Sequence, residues 1–110
     1  MRLLCCWFSL QDQLIPSGAA KVGRSKGPAF KNGKGVSLHW DQEVSTTHGD
    51  FSLQDGQVVF KDVGSTNGSC LVENDNSTIK LAKNEITVMV VGSRLKLGST
   101  ILRVEAIEDV

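Results

Sequence analysis

A chain of 110 residues is long enough for one compact domain and too short for two. Its 40% apolar and 22% charged residues match an ordinary folded protein and exclude a disordered one. Twelve Lys and Arg balance twelve Asp and Glu. That neutrality argues against a general nucleic-acid binder and a membrane-surface binder, both of which carry a basic excess.

In chain order, the opening apolar run is too short to span a membrane, so residues 3–10 read as a first strand. Cys5 and Cys6 are adjacent and Cys70 stands alone. The three form neither a disulfide framework nor a paired zinc motif, and they read as reduced thiols of an intracellular protein of the nucleus or cytoplasm. No metal and no cofactor is expected. A second strand follows at 20–24, then a basic stretch at 25–35 with Pro28, three glycines, Lys26, Lys31 and Lys34. That composition reads as a long loop, either functional or an idle insertion.

Further strands are expected at 36–40, 69–72, 78–81, 86–91, 95–97 and 101–107. The clearest hairpin joins 51–54 to 57–60 through Asp55-Gly56, a turn whose two residues take positive φ. In that register Leu53 faces Val58 and Phe51 faces Phe60, all on one face. Both faces of 86–91 are apolar, which predicts a strand in the middle of a sheet. Short strands punctuated by eleven glycines, with no helical periodicity, give an all-β sandwich or barrel.

Three segments at strand ends carry the chemistry: Gly23-Arg24, then Ser45-Thr46-Thr47-His48, then Asp62-Val63-Gly64-Ser65-Thr66-Asn67-Gly68-Ser69. An arginine fork matches phosphate oxygens. Hydroxyls and loop N–H groups add donors to an anion-binding concavity, and an asparagine can grip a peptide backbone. Taken singly, each piece reads as a solvated charge or a turn. No paired carboxylates, phosphate loop or nucleophile elbow is present. Ser45 and His48 stand three residues apart in a loop and no acidic orienter is evident, which argues against hydrolysis. His39 has no motif around it, and Trp40 beside it reads as packing.

The ordered set GR, SxxH and DxGSTNG, with a hairpin between the second and third, resembles the forkhead-associated (FHA) domain family over about residues 15 to 107. The resemblance implies a single domain over 1–110, an FHA-like β-sandwich of about eleven short strands with its ligand site in loops at one end. It implies a non-enzymatic module binding a phosphothreonine-containing protein, without membrane or nucleic-acid partners and monomeric as an isolated domain. Arg24, Ser45, Thr46, Thr66 and Asn67 would bind the phosphopeptide. Gly23, His48 and Gly68 would support the site from below, Gly23 by letting its strand turn closely. Lys26, Lys31 and Lys34 would form a basic rim. Three rival readings stand beside this one. The first is an FHA-like domain that has lost phosphate dependence and binds proteins through a sheet face. The second is a small hydrolase or a fragment bearing one, disfavoured by the absence of a complete acid/base or metal set. The third is a nucleic-acid binder using the three lysines.

Overall fold

The computed structural model describes residues 2–5, 11–14, 19–30, 35–55 and 57–106. They form eleven strands and one short 3₁₀ turn: β1 Arg2–Cys5, β2 Gln11–Leu14, β3 Ala19–Gly23, the turn Pro28–Phe30, β4 Gly35–Ser37, β5 Gly49–Gln54, β6 Gln57–Asp62, β7 Ser69–Val72, β8 Thr78–Lys80, β9 Ile86–Met89, β10 Arg94–Leu97 and β11 Thr100–Ala106. A six-stranded sheet in the order β2-β1-β11-β10-β7-β8 packs on a five-stranded sheet in the order β4-β3-β5-β6-β9. Only β3 and β4 run parallel; the other pairs are antiparallel. The sandwich expected from the sequence is the fold observed.

The hairpin β5–β6 pairs Leu53 with Val58 and Phe51 with Phe60. The two rings meet at 5.0 Å. Alternation places Phe51, Val58 and Phe60 in the core with Val22, Leu38, Met89, Leu95 and Leu97. Asp55 takes φ 52° in the tight turn, while Gly56 lies outside the described residues.

Two expectations need correction. The strand at 86–91 is not central: β9 closes the edge of the five-stranded sheet, pairing only with β6. Ile86 and Val88 are 56% and 51% exposed, and only Met89 of this strand enters the core. Two apolar faces satisfy the pattern of a central strand, but among the described residues no second strand pairs with β9 on its outer edge. The basic stretch is also not uniformly loop. Its 3₁₀ turn packs on β3 and β4 and buries Phe30. The Ser25 hydroxyl accepts the Gly27 amide at 3.0 Å, and the Ser25 carbonyl accepts the Ser37 hydroxyl at 2.7 Å. Lys31 and Lys34 lie outside the described residues; Lys26 is exposed.

Strand β2 had no counterpart in the sequence reading, because Gln11-Asp12-Gln13-Leu14 lacks apolar alternation and is a strand by virtue of pairing with β1. The first expected strand, 3–10, is described only to Cys5, and Cys6 lies outside the described residues. Cys70 is a free, half-exposed thiol on β7. No helix among the described residues is long and apolar enough to cross a membrane.

Candidate functional site

The three segments converge at one end of the sandwich. Gly23 closes β3 against the loop that leads into β5. A Cβ there would sit 2.2 Å from the Thr46 carbonyl oxygen, so the position demands a close approach of two backbones rather than a turn. Because the chains touch, the Arg24 amide donates to the Ser45 carbonyl at 3.0 Å and the Ser25 amide to the Thr46 carbonyl at 3.2 Å. The Arg24 guanidinium is anchored at its root: Nε donates to the Val44 carbonyl at 3.0 Å. No carboxylate among the described residues pairs with it. Its two terminal nitrogens therefore remain available to an anion.

Ser45 occupies a second pivot. Its Oγ accepts the Thr66 amide at 3.0 Å, which leaves the hydroxyl proton free to point elsewhere. Asn67 Nδ2 donates to the Glu43 carbonyl at 2.8 Å. That bond fixes the carboxamide while its oxygen and second N–H stay uncommitted. Thr46, Thr66 and Asn67 are exposed. Arg24, Ser45, Thr66 and Asn67 are thus brought together by bonds between the three loops, with Thr46 adjoining them through its backbone.

Beneath this rim lies a buried polar layer. His48 is fully buried. Its Nδ1 accepts the Ser45 amide at 3.1 Å, and its Nε2 lies 2.9 Å from the Gly68 carbonyl and 3.1 Å from Ser69 Oγ. An acceptor at Nδ1 and a carbonyl at Nε2 require the neutral ring with its proton on Nε2. Burial pushes the imidazole below its ordinary value, and the Gly68 carbonyl and the Asp62 charge pull upward without overcoming it.

Asp62 is the hub of the third loop. One carboxylate oxygen accepts the Gly64 and Ser65 amides at 2.8 Å each, and the other accepts the Ser65 and Ser69 hydroxyls at 2.6 Å each. Burial alone would raise this carboxyl. The hydroxyls of Ser65 and Ser69 and the two amides outweigh it, so the group sits below the usual carboxylate range. Ser65 Oγ in turn accepts the Gly68 amide at 3.0 Å, and Gly68 takes φ 82°, a conformation that favours glycine. The sequence reading assigned no role to Asp62, Ser65 or Ser69. Their signal is present in the Asp-x-Gly-Ser order of a turn closed by an aspartate side chain.

Ser69, His48 and Asp62 meet in space, with 3.7 Å between His48 Nε2 and Asp62. An acidic neighbour not evident from the sequence is therefore present in Asp62, yet the three cannot act as a hydrolytic triad. All are within 1% of complete burial, so no substrate reaches them. The imidazole lone pair is already committed to a backbone amide. A second carboxylate, Asp41, accepts the Glu43 and Ser99 amides and the Thr100 hydroxyl. It ties the loop after β4 to the β10–β11 turn. No buried side-chain nitrogen or oxygen among the described residues lacks a partner. Trp40 is 37% exposed on that loop, edge-on to His39 at 5.2 Å.

Comparison with known proteins bears on this geometry. The solution structure of the FHA domain of an Arabidopsis thaliana hypothetical protein superposes with a TM-score of 0.70 at 25% identity, covering 98% of this chain and 86% of that one. The FhaA FHA domain complexed with the intracellular domain of Rv3910 gives 0.67 at 18% identity, covering 93% and 96%. A structure from a study of phosphothreonine-dependent FHA domain interactions gives 0.67 at 19% identity, covering 93% and 91%. No curated protein matches the chain. The family model for the FHA domain matches residues 20–98, spanning all three loop segments, and the chain belongs to the FHA domain family.

Proposed function

We propose that this domain captures a phosphothreonine-bearing segment of a partner protein in the loops at the β3, β5 and β7 ends, and that it catalyses nothing. One observation carries the reading: an arginine side chain held at Nε and, among the described residues, paired with no carboxylate, beside a serine hydroxyl whose oxygen is engaged and whose proton is free. A phosphate at neutral pH brings about −1.5 to −2 charges and several strong acceptors. The two terminal nitrogens of Arg24 suit a bidentate grip, with the Ser45 hydroxyl adding a third donor. Thr66 stands beside them, and Asn67, fixed through Glu43, presents its amide to the ligand backbone. Thr46 adds its side chain at the rim. Preference for phosphothreonine over phosphoserine is the family expectation, and a niche for one methyl group is worth about 1–3 kcal/mol.

Arg24→Ala tests the reading. It should keep the melting temperature and lose phosphothreonine-peptide binding in calorimetric titration, at least about 1.5–3 kcal/mol. Arg24→Lys should recover little, because a point charge does not reproduce the planar fork. Unchanged affinity in a folded Arg24→Ala protein would end the proposal. The exposed apolar face of β9, with Ile86 and Val88, favours a second reading in which the domain binds proteins without phosphate. Phosphatase treatment of a captured partner separates the two, since only phosphate-dependent capture is abolished.

A further inference from the structure

The outer face of the six-stranded sheet carries a cationic furrow that begins at the recognition loops. Leu95 and Leu97 are buried, so Arg94 and Lys96 point away from the core. The register sets Lys96 opposite Cys70, and Cys70 opposite Lys80. Two ammonium-bearing chains thus flank one position on three adjacent strands, with backbones about 10 Å apart at about 4.8 Å per strand. In the next row Arg94 stands between Arg103 and Val72. Like charges set side by side are unfavourable, and among the described residues one of them is neutralised: Glu105 pairs with Arg103 at 2.9 Å. Arg94 is held by neutral groups, Asn76 Oδ1 at 3.2 Å and the Glu73 carbonyl at 2.6 Å. Lys80 and Lys96 are exposed, and no carboxylate among the described residues pairs with either.

The furrow has shape as well as charge. A cleft of about 170 Å³ is bordered by Asn67, Gly68 and Lys96. It adjoins one of about 360 Å³ that reaches Arg94 and Ile101, the two sharing Thr78 and Lys96. The Lys80 chain lies over Gly68, its Cε 3.3 Å from where a Cβ would stand. The acidic groups nearby are few. Glu43 borders the first cleft and accepts the Ser99 hydroxyl at 3.3 Å. Asp75, in the turn beyond, is engaged with Ser77, and Glu73 is exposed beside it. Because the whole chain is neutral, this excess is local.

We infer that the furrow takes an acidic, extended stretch of the same partner segment that carries the phosphothreonine, so that recognition continues past Asn67 across β7, β8 and β10. The inference rests on the phosphothreonine reading of the loops. An extended chain turns every second side chain to the same face, so alternate acidic residues would meet Lys96, Lys80 and Arg94. Exposed charge pairs are individually weak and screened by salt, which makes this surface a selector among phosphorylated segments rather than a binder by itself.

The test uses degenerate phosphothreonine peptide libraries tailed, at one end or the other, with alternating Glu and Ser or alternating Gln and Ser. At low salt the Glu-Ser tail at one end should tighten binding about fivefold over the Gln-Ser tail, fading as salt rises. Lys80→Glu/Lys96→Glu should erase that difference and keep the affinity for Gln-tailed peptides. Lys80→Gln/Lys96→Gln serves if charge reversal harms folding. If both tails bind equally well to the parent, the furrow inference is overturned and the loop reading stands. If no phosphothreonine library binds, both fall. If the Glu-Ser tail without phosphothreonine, or an unrelated oligonucleotide, binds as tightly as the full peptide, the face is a general polyanion surface and the inference is wrong.

Discussion

The middle of the sandwich and its loop end bury different things. Between the sheets the buried side chains are apolar: Val22, Leu38, Phe51, Phe60, Leu95 and Leu102 are nearly inaccessible and interchange only dispersion contacts. At the loop end the buried side chains are polar: Asp41, His48, Asp62, Ser65, Ser69 and Thr100. Apolar packing is non-directional and tolerates repacking of similar volume. A buried polar network has no such latitude, since each donor must meet its acceptor or bear the full cost of desolvation. The core therefore makes the domain stable, while the polar layer sets where Arg24, Ser45, Thr66 and Asn67 stand.

The sharpest way to separate the two regions is to damage the core alone. Phe60→Ala removes a fully buried ring and should lower stability by about 3–5 kcal/mol in chemical denaturation. At a temperature where the variant is still folded, its affinity for a phosphothreonine peptide should stay near that of the parent. A folded Phe60→Ala protein that had lost binding would show that the core, too, positions the loops.

Rim substitutions should do the reverse. Ser45→Ala removes both the acceptor for the Thr66 amide and the free hydroxyl proton, so it should weaken phosphopeptide binding by about 1–2 kcal/mol. Thr66→Ala should cost about 1 kcal/mol or less. Asn67→Ala should weaken phosphorylated and unphosphorylated peptides alike, as expected of a group that holds backbone. Calorimetry gives the affinities, and melting curves should move little for Thr66→Ala.

Acid should attack the polar layer before the core. His48 has its value lowered from 6.5, so the unfolded chain takes up a proton that the folded chain refuses. Stability is therefore complete above about 6.5 and falls as pH drops below it. Protonation would put a second N–H against the Ser45 amide, loosening the site as well. Asp62 is lowered from 3.8, so its contribution persists above that value and is lost as pH falls further. Denaturation midpoints measured from about pH 7 to about pH 5 should decline. His48→Gln should be less stable at neutral pH and should flatten that decline; an unchanged slope would place the acid sensitivity elsewhere.

The smallest expected effect is on rate. Ser25 is tied to Thr46, so the basic stretch leaves directly from the site. Replacing Lys26, Lys31 and Lys34 with Ser should slow association about threefold at low salt, with dissociation unchanged. Stopped-flow rates at two ionic strengths decide it: identical rates for variant and parent would make the stretch an idle connection.

Much of the architecture could be read directly because it is local. The β5–β6 register follows from Asp55-Gly56 and the alternation around it, and residues 51–54 and 57–60 pair as that turn requires. The candidate residues themselves were legible as an ordered set of short motifs, since each is a turn or strand end whose chemistry is carried by adjacent residues. What was misjudged or missed depends on neighbours far along the chain. Residues 86–91 have the pattern of a central strand, and only the sheet order reveals that β9 is an edge. Residues 11–14 have no strand pattern and are a strand because β1 lies beside them.

By itself, then, the sequence determined the all-β class, the main hairpin, the three loop segments and the family they mark. These are written in turn residues, period-two alternation and short motifs, all of which act over a few positions. Only the tertiary structure decided that Gly23 must lack a Cβ because Thr46 crosses it. It also decided that Asp62 gathers four donors beneath the rim, and that Lys80 and Lys96, sixteen positions apart, flank Cys70 beside Asn67. The reason is physical: close approach, burial of polar groups and the summing of charge on a face depend on distance in space, which chain separation does not encode.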